Sequence, residues 1–215
     1  MYVLEPSLLM SQKETVPSMN SRKHYLNSRE PSNWVSRFAP LIREGGPILD
    51  VAAGGGRHGR FFLERGHPVT LLDQETEALQ DLSSHPHASI VQKNLEDGSD
   101  WPLKDQFAAV LVVNYLHRPL TDHLLDALET GGVLIYETFA RGNEAFGRPR
   151  NPDHLLKSGE LLQMVSGRMQ VIAYEHGIRE NSPLPGVIQR ICAVKNLDLS
   201  SREDGDPPNC SLELK

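Results

Sequence analysis

Residues 47–73, PILDVAAGGGRHGRFFLERGHPVTLLD, form the stretch that decides the fold. It begins with an apolar run, Ile48 to Ala52, which is typical of a buried parallel strand. Three consecutive glycines follow at positions 54–56, and the residues after them have the pattern of a helix with an aromatic buried face. A second apolar run, Val69 to Leu72, ends at Asp73. The stretch therefore predicts a strand, a glycine loop, a helix and a second strand that ends on a carboxylate.

This order of elements predicts half of a Rossmann-like nucleotide-binding unit. Gly54-x-Gly56-x-x-Gly59 matches the dinucleotide fingerprint, and Asp73 lies near the distance expected for an acid that binds ribose. A glycine loop that opens a helix presents backbone N–H groups to an anion. The unit indicates a cofactor that contains a nucleoside, and a nicotinamide-dependent oxidoreductase is one hypothesis that it allows.

Three features favour S-adenosylmethionine (SAM) over a nicotinamide cofactor. Asp50 stands near the end of the first strand, where a dinucleotide fold normally has an apolar residue. The chain between that strand and its glycines is longer than a pyrophosphate turn requires. No Tyr-x-x-x-Lys pair occurs in the sequence, so the commonest catalytic pair of short-chain dehydrogenases is absent.

The rest of the chain alternates strand and helix patterns, which predicts an α/β fold. We expect a single doubly wound Rossmann-like sheet of about seven strands. Its strands should be mostly parallel with an antiparallel last strand, because no helix separates the final two strands. The further strands are predicted at 89–91, 107–113, 133–139, 170–174 and 187–194. The further helices are predicted at 33–43, at 75–83, from Pro119, and after a cap at Ser158.

Length and composition predict one domain of ordinary size at residues 28–197, with a flexible segment at 1–27 and a disordered tail at 198–215. A formal charge of −6 makes nucleic acid an unlikely partner. Two cysteines without a CxxC pair suggest no disulfide framework or metal site. No apolar run approaches the roughly 20 residues that span a bilayer. The sequence therefore predicts a cytoplasmic protein and leaves its oligomeric state open.

With these residues in place, the chain resembles the class I SAM-dependent methyltransferases. Residues 49–73 look like their glycine motif and second-strand acid, and LETGGVLIYETF at 128–139 looks like their Gly-Gly turn and fifth strand. Within that superfamily, residues 33–195 are similar to small-molecule methyltransferases of the tellurite-resistance type. One departure is Ala53, where many members have Cys or Gly.

The resemblance implies a set of SAM-binding residues. In it, the glycine N–H groups would donate to the methionine carboxylate, and Asp73 would accept hydrogen bonds from both ribose hydroxyls. The residues after the second and third strands would surround the adenine, and Asn114 would lie beside the sulfonium. Asp50 would organise the loop or meet the methionine amine. The implied residues are Asp50, Gly54, Gly55, Gly56, Asp73, Gln74, Asn94, Leu95 and Asn114.

Two residues after the fourth strand are the catalytic candidates. His117 can act as a general base near neutral pH, and a helix-entry role is its alternative. Tyr115 can cover the cofactor or the acceptor. Beyond the fifth strand, Glu137 and arginines at 141, 148 and 150 could address a polar or anionic acceptor, and solvated loop charge is the alternative for the arginines.

The resulting hypothesis is an enzyme that transfers the methyl group of SAM to a small-molecule acceptor by SN2 displacement. The donor is activated, so proximity and alignment can supply roughly 7–11 kcal/mol of the barrier reduction. A nicotinamide-dependent oxidoreductase and a non-catalytic SAM-binding protein are the alternatives. The acceptor itself stays open.

Overall fold

A computed structural model describes residues 29–180, 184–200 and 203–211. The predicted flexible segment, 1–27, lies outside these ranges. Within the predicted tail, Cys210 is partly buried and packs against the core. The domain boundaries themselves stay predictions.

Seven strands form one sheet with the order β3-β2-β1-β4-β5-β7-β6. All neighbouring pairs among β3, β2, β1, β4 and β5 are parallel, whereas β7 is antiparallel to both β5 and β6. This confirms the predicted seven-stranded sheet with an antiparallel last strand. The strands are β1 Ile48–Val51, β2 Val69–Asp73, β3 Ala88–Gln92, β4 Phe107–Val113, β5 Leu128–Phe139, β6 Gln170–Arg179 and β7 Gly186–Val194.

Four short α-helices cover the sheet in the described ranges, together with several 3-10 turns. They are α1 Asn33–Phe38, α2 Arg57–Leu63, α3 Thr121–Asp126 and α4 Glu160–Val165. The predicted helix at 33–43 is therefore too long. It changes to a 3-10 turn at Ala39–Leu41, where Pro40 has no N–H to continue the α-helical pattern.

The predicted helix at 75–83 is wrong in type. Residues Glu77–Leu82 form a 3-10 helix, in which Leu79 and Leu82 are buried and Ala78 is exposed. A 3-10 helix has three residues per turn, so an i, i+3 apolar pair is enough to cover one face. The apolar pattern alone does not separate the two helix types.

Three further boundaries also differ from the predictions. The helix expected from Pro119 begins as a 3-10 turn at Arg118–Leu120, and Leu128 belongs to β5 rather than to this helix. Gly131-Gly132 lie inside β5 instead of before it. The cap of α4 is Gly159, with φ 72°, and not Ser158.

Two apolar cores lie on opposite faces of the sheet, because successive side chains of a strand point to opposite sides. One core, beneath α1 and α2, includes Trp34 and Phe62. The other, beneath α3 and α4, includes Leu125 and Leu161. All seven residues of β4 are buried, as a central strand requires. Because β1 to β5 are parallel, their carboxyl ends all lie at the same edge of the sheet.

Candidate cofactor site

The backbone is strained where β1 and β4 end at this edge. Ala52 has φ 53° and Asn114 has φ 58°, and both values lie in the left-handed region. This conformation costs an alanine roughly 1–2 kcal/mol, while asparagine tolerates it better. Strained residues of this kind cluster at ligand-binding sites. The two residues flank the crevice in which a doubly wound sheet binds its ligand.

The glycines of the loop have two different roles. A Cβ added to Gly54 or Gly55 would meet nothing within 4 Å, so the backbone there faces open space. A Cβ on Gly56 would lie 2.6 Å from Leu79 Cδ2, and one on Gly59 would lie 2.7 Å from Leu71 Cδ2. Gly54 and Gly55 therefore border an open groove beside the loop, the cradle. Gly56 allows the loop to pack closely against Leu79 and Leu71, and its contact with the cofactor stays a prediction.

Asp73 ties the end of β2 to the glycine loop. Its Oδ2 accepts a hydrogen bond from Gly54 N–H at 2.7 Å, and its Oδ1 accepts one from Glu75 N–H at 2.9 Å. Each carboxylate oxygen can accept a further bond. Gly56 N–H donates to Ala53 O at 2.8 Å. Two of the three N–H groups predicted for a methionine carboxylate thus have acceptors inside the protein.

Two hollows meet at Asp73 and Gln74. The smaller, about 130 Å³, is also lined by Ala52, Lys93, Asn94, Leu95, Glu96 and Tyr115. The larger, about 880 Å³, runs along the loop and the residues after β2, and includes Gly54 and Gln92. The structure therefore brings together four of the residues predicted around the ribose and the adenine: Asp73, Gln74, Asn94 and Leu95.

The turn after β3 contributes two residues that the sequence did not single out. Asn94 Oδ1 accepts a hydrogen bond from Glu96 N–H at 2.9 Å, and this bond turns Glu96 toward the same hollow as Lys93. The polar run around Asn94 was the only signal for these two residues. Both bring charge to the wall of the smaller hollow.

A buried polar cluster lies beneath the glycine loop. Asp50 Oδ2 accepts a hydrogen bond from Gly59 N–H at 2.9 Å, and its Oδ1 lies 3.9 Å from His58 Nδ1. Burial raises the pKa of Asp50 to about 7. Burial, helped by the Arg57 charge, lowers the pKa of His58 to about 3. Arg57 is 7% exposed, so its side chain lies inside the fold rather than on the surface. Asp50 anchors α2 to β1.

Tyr115 and His117 differ in their relation to the hollows. Tyr115 lines the smaller one, and burial, together with the charge of Glu96, raises the pKa of its phenol. A protonated phenol can donate a hydrogen bond but is a poor base. His117 is partly buried in extended backbone before the 3-10 turn, and it lines neither hollow. Its catalytic role stays a prediction.

A charged cluster lies at the end of β5, next to β4. Asn114 N–H donates to Glu137 O at 2.8 Å. The Glu137 side chain is 2% exposed, and its oxygens accept hydrogen bonds from Arg179 Nη1 at 3.2 Å, Arg190 Nη1 at 3.3 Å and Ser32 Oγ at 3.2 Å. This cluster joins the start of α1 to three strands.

Comparisons with known proteins agree with this geometry. No protein-family model and no curated protein matches the sequence. Solved structures do match, and one is TehB from Haemophilus influenzae, with 13% identity and a TM-score of 0.61 over 77% of this chain and 62% of TehB. This chain therefore spans less than two thirds of the length of TehB.

Two other similar structures are methyltransferases that contain S-adenosylhomocysteine. The Burkholderia thailandensis 1,6-didemethyltoxoflavin-N1-methyltransferase has 17% identity and a TM-score of 0.58, with 82% of each chain covered. The N-methyltransferase NodS from Bradyrhizobium japonicum has 13% identity and a TM-score of 0.54, over 82% of this chain and 97% of NodS. The fold is that of the class I SAM-dependent methyltransferases.

In this sheet the antiparallel strand β7 lies between β5 and β6. The dinucleotide-binding fold has the order 3-2-1-4-5-6 and no inserted antiparallel strand.

Among the described residues, no group of three or more His, Cys, Asp or Glu side chains could hold a metal ion. In the same part of the chain, no helix has the length and apolar character needed to cross a membrane.

Proposed function

We propose that this protein is a SAM-dependent methyltransferase that acts on a small-molecule acceptor. The observation that carries the proposal is the cradle at the carboxyl edge of the sheet. There the open backbone of Gly54, the Asp73 carboxylate and the left-handed turn at Ala52 line two hollows that meet. Two proteins of the same fold contain S-adenosylhomocysteine, which supports this choice of cofactor.

The residues present fit such a cofactor. The two hollows that meet at Asp73, about 130 and 880 Å³, are together in the range of small-ligand sites. Asp73 retains acceptor capacity for ribose hydroxyls, and Leu95 offers an apolar contact to a base. When bound, SAM would supply an activated methyl group that an acceptor takes by SN2 displacement. The inserted β7 argues against the nicotinamide alternative.

The chemistry asked of the chain itself is mainly alignment and exclusion of water. Asn114 is fixed by its hydrogen bond to the β5 backbone, so its side chain leaves β4 from a rigid point. The Tyr115 phenol, held protonated, can cover the smaller hollow and donate one hydrogen bond. His117 remains the proposed base for an acceptor that must lose a proton. Such positioning can account for a large part of a methyl-transfer rate.

We also propose that the protein acts in the cytoplasm and on a free small molecule rather than on nucleic acid. Cys192 and Cys210 are both free thiols, which suits a reducing compartment. The net charge of −6 disfavours a phosphate backbone as partner. One similar structure is a methyltransferase named for 1,6-didemethyltoxoflavin, which is bound in it, and this supports a small-molecule substrate here.

Calorimetric titration with SAM and with S-adenosylhomocysteine tests the proposal. We expect both to bind, and Asp73→Asn to weaken binding by at least about 1.5 kcal/mol, because it removes charge-assisted hydrogen bonds to ribose. The amide oxygen of Asn still accepts from one backbone N–H, so the loop should keep its shape. The readout is the dissociation constant.

Asp105→Asn is the matched control, because Asp105 is exposed and precedes β4 at the opposite edge of the sheet. It should bind both ligands as the wild type does. Absence of binding by either ligand at high micromolar concentration would refute the proposal. Binding without methyl transfer to any acceptor would favour the non-catalytic alternative.

A further inference from the structure

The loop from Ala140 to Pro152 lies on the half of the sheet edge that the cofactor cradle leaves open. It follows β5 directly, and Ala140 N–H donates to Val187 O of β7 at 2.8 Å. Arg141 N–H donates to Leu156 O at 3.0 Å. The hollows at Asp73 lie at the ends of β1 to β4, so the loop borders the neighbouring region, where an acceptor would approach.

This loop has a fixed shape, set by one buried amide. Asn143 is 1% exposed, and its Nδ2 donates to Pro149 O at 3.0 Å. Asn143 O accepts hydrogen bonds from Phe146 N–H at 2.8 Å and from Gly147 N–H at 3.1 Å. A side chain at Gly186 would collide with Asn143 Oδ1, so β7 packs tightly against the loop. Residues 141–143 are consequently held beside residues 148–150.

The residues held together in this way include three arginines. Arg141, Arg148 and Arg150 are exposed, and none forms an ion pair within the described ranges. The nearest acids in sequence are Glu144, which accepts a hydrogen bond from Gly142 N–H, and Asp153, three residues after Arg150. Elsewhere in the described chain, carboxylates hold the arginines at 37, 43, 60, 118, 168, 179 and 190.

This loop thus carries three guanidinium groups without carboxylate partners in the described ranges, although the net charge of the chain is −6. A guanidinium presents a planar fork of donors that matches a carboxylate or a phosphate. A local excess of positive charge also attracts an oppositely charged ligand. We propose that Arg141, Arg148 and Arg150 recognise the methyl acceptor, and that this acceptor is a small molecule with a carboxylate or phosphate group.

This inference rests on the proposed methyltransferase function, and one experiment separates the two. A small-molecule cell extract is passed over a quaternary-amine resin at neutral pH, and the retained and unretained fractions are each incubated with enzyme and methyl-labelled SAM. We expect the label to enter compounds of the retained, anionic fraction. Phosphatase treatment of that fraction before the incubation distinguishes a phosphate from a carboxylate as the anionic group. Loss of labelling identifies a phosphate, and unchanged labelling identifies a carboxylate.

Variants then test the three arginines directly. Arg148→Gln combined with Arg150→Gln should lower the initial labelling rate at limiting extract by about tenfold, mainly through a higher KM. Arg141→Gln should act in the same direction. The affinity for S-adenosylhomocysteine should not change. Arg168→Gln, which breaks a surface ion pair with Asp122 and Asp126, is the control and should label normally.

Each result decides between the hypotheses. Label that enters only the unretained fraction, or arginine variants that label at the wild-type rate, would overturn the inference and leave the methyltransferase proposal standing. No label in either fraction, with no binding of SAM, would overturn both. A parallel loss of S-adenosylhomocysteine affinity in the arginine variants would also count against acceptor recognition.

Discussion

At the scale of single residues, two adjacent glycines of the same loop have different surroundings. Gly55 faces open space, whereas a Cβ at Gly56 would press against Leu79 and Leu71 in a backbone with φ 71°. We therefore expect Gly55→Ala to keep the stability of the fold and to weaken SAM binding, because its methyl group would enter the cradle. Thermal unfolding and calorimetry of the same protein give the two readouts.

Gly56→Ala is the matched comparison and should behave in the opposite way. Its left-handed backbone alone costs an alanine roughly 1–2 kcal/mol, and overpacking against the leucines adds roughly 1–3 kcal/mol. The variant should unfold at a clearly lower temperature. Equal stability of the Gly55→Ala and Gly56→Ala variants would contradict the assignment of Gly55 to the ligand site and of Gly56 to the core.

Some features of the site could be predicted because they leave a short, local pattern in the sequence, and others could not because they leave none. Asp73 was predictable because an acid that ends a strand after a glycine loop is a local pattern. The left-handed turn at Ala52 was not, because an alanine gives no sign of positive φ. The burial of Arg57 and His58 was also missed, since charged and polar residues are usually exposed.

At the scale of elements, Glu137 joins parts of the fold that are distant in sequence. Its partners Arg179 and Arg190 are 42 and 53 residues away, and Ser32 is 105 residues away. The Arg190 guanidinium also lies 4.6 Å from the centroid of the Trp34 ring in α1. No periodicity in the sequence could predict these partners. The apolar strands themselves were predictable because burial on both faces leaves a continuous hydrophobic run.

The Glu137 cluster should be important for stability. Removing one member of a buried ion pair typically costs about 3–5 kcal/mol, because the remaining charge is left uncompensated. We expect Glu137→Gln to lower the free energy of unfolding by about 3 kcal/mol, since each arginine keeps a second acceptor, Leu184 O or Glu175. Urea denaturation with matched m-values measures this difference.

Glu129→Gln provides the control for this prediction. Glu129 pairs with Arg43 at 2.6 Å, and that arginine is largely exposed to solvent. Surface pairs of this kind contribute about 0–1 kcal/mol. A loss at Glu137 no greater than that at Glu129 would contradict a structural role for the buried cluster.

At the scale of the whole molecule, two buried groups give the stability a compensated pH dependence. Asp50 has a folded-state pKa of about 7 against an ordinary 3.8, so the folded state holds this proton more tightly. Its contribution to stability is lost as the pH rises from about 4 to 7. His58 has a folded-state pKa of about 3 against 6.5, so its contribution is lost as the pH falls below about 6.5. Between about pH 4 and 6.5 the two slopes oppose each other.

Single variants should reveal the change of stability with pH that each of the two groups causes. Asp50→Asn keeps an acceptor for Gly59 N–H, and its stability should rise by about 1 kcal/mol from about pH 5 to about pH 6, because only His58 then titrates differently. His58→Gln should lose about 1 kcal/mol over the same interval. Denaturant unfolding at both pH values measures the slopes. Slopes of the same sign in both variants would contradict the compensation.

The inserted strand β7 also dictates the order in which the sheet can be completed. β5 and β6 have no hydrogen bonds to each other, and each pairs with β7, which comes last of the three in the chain. During synthesis, the strands that form the cradle can pair as soon as β4 has emerged from the ribosome. The pairing of β5 with β7 and of β7 with β6 waits until residues 186–194 have emerged. This order of emergence allows the strands around Asp73 to pair before the strands beside the 140–152 loop.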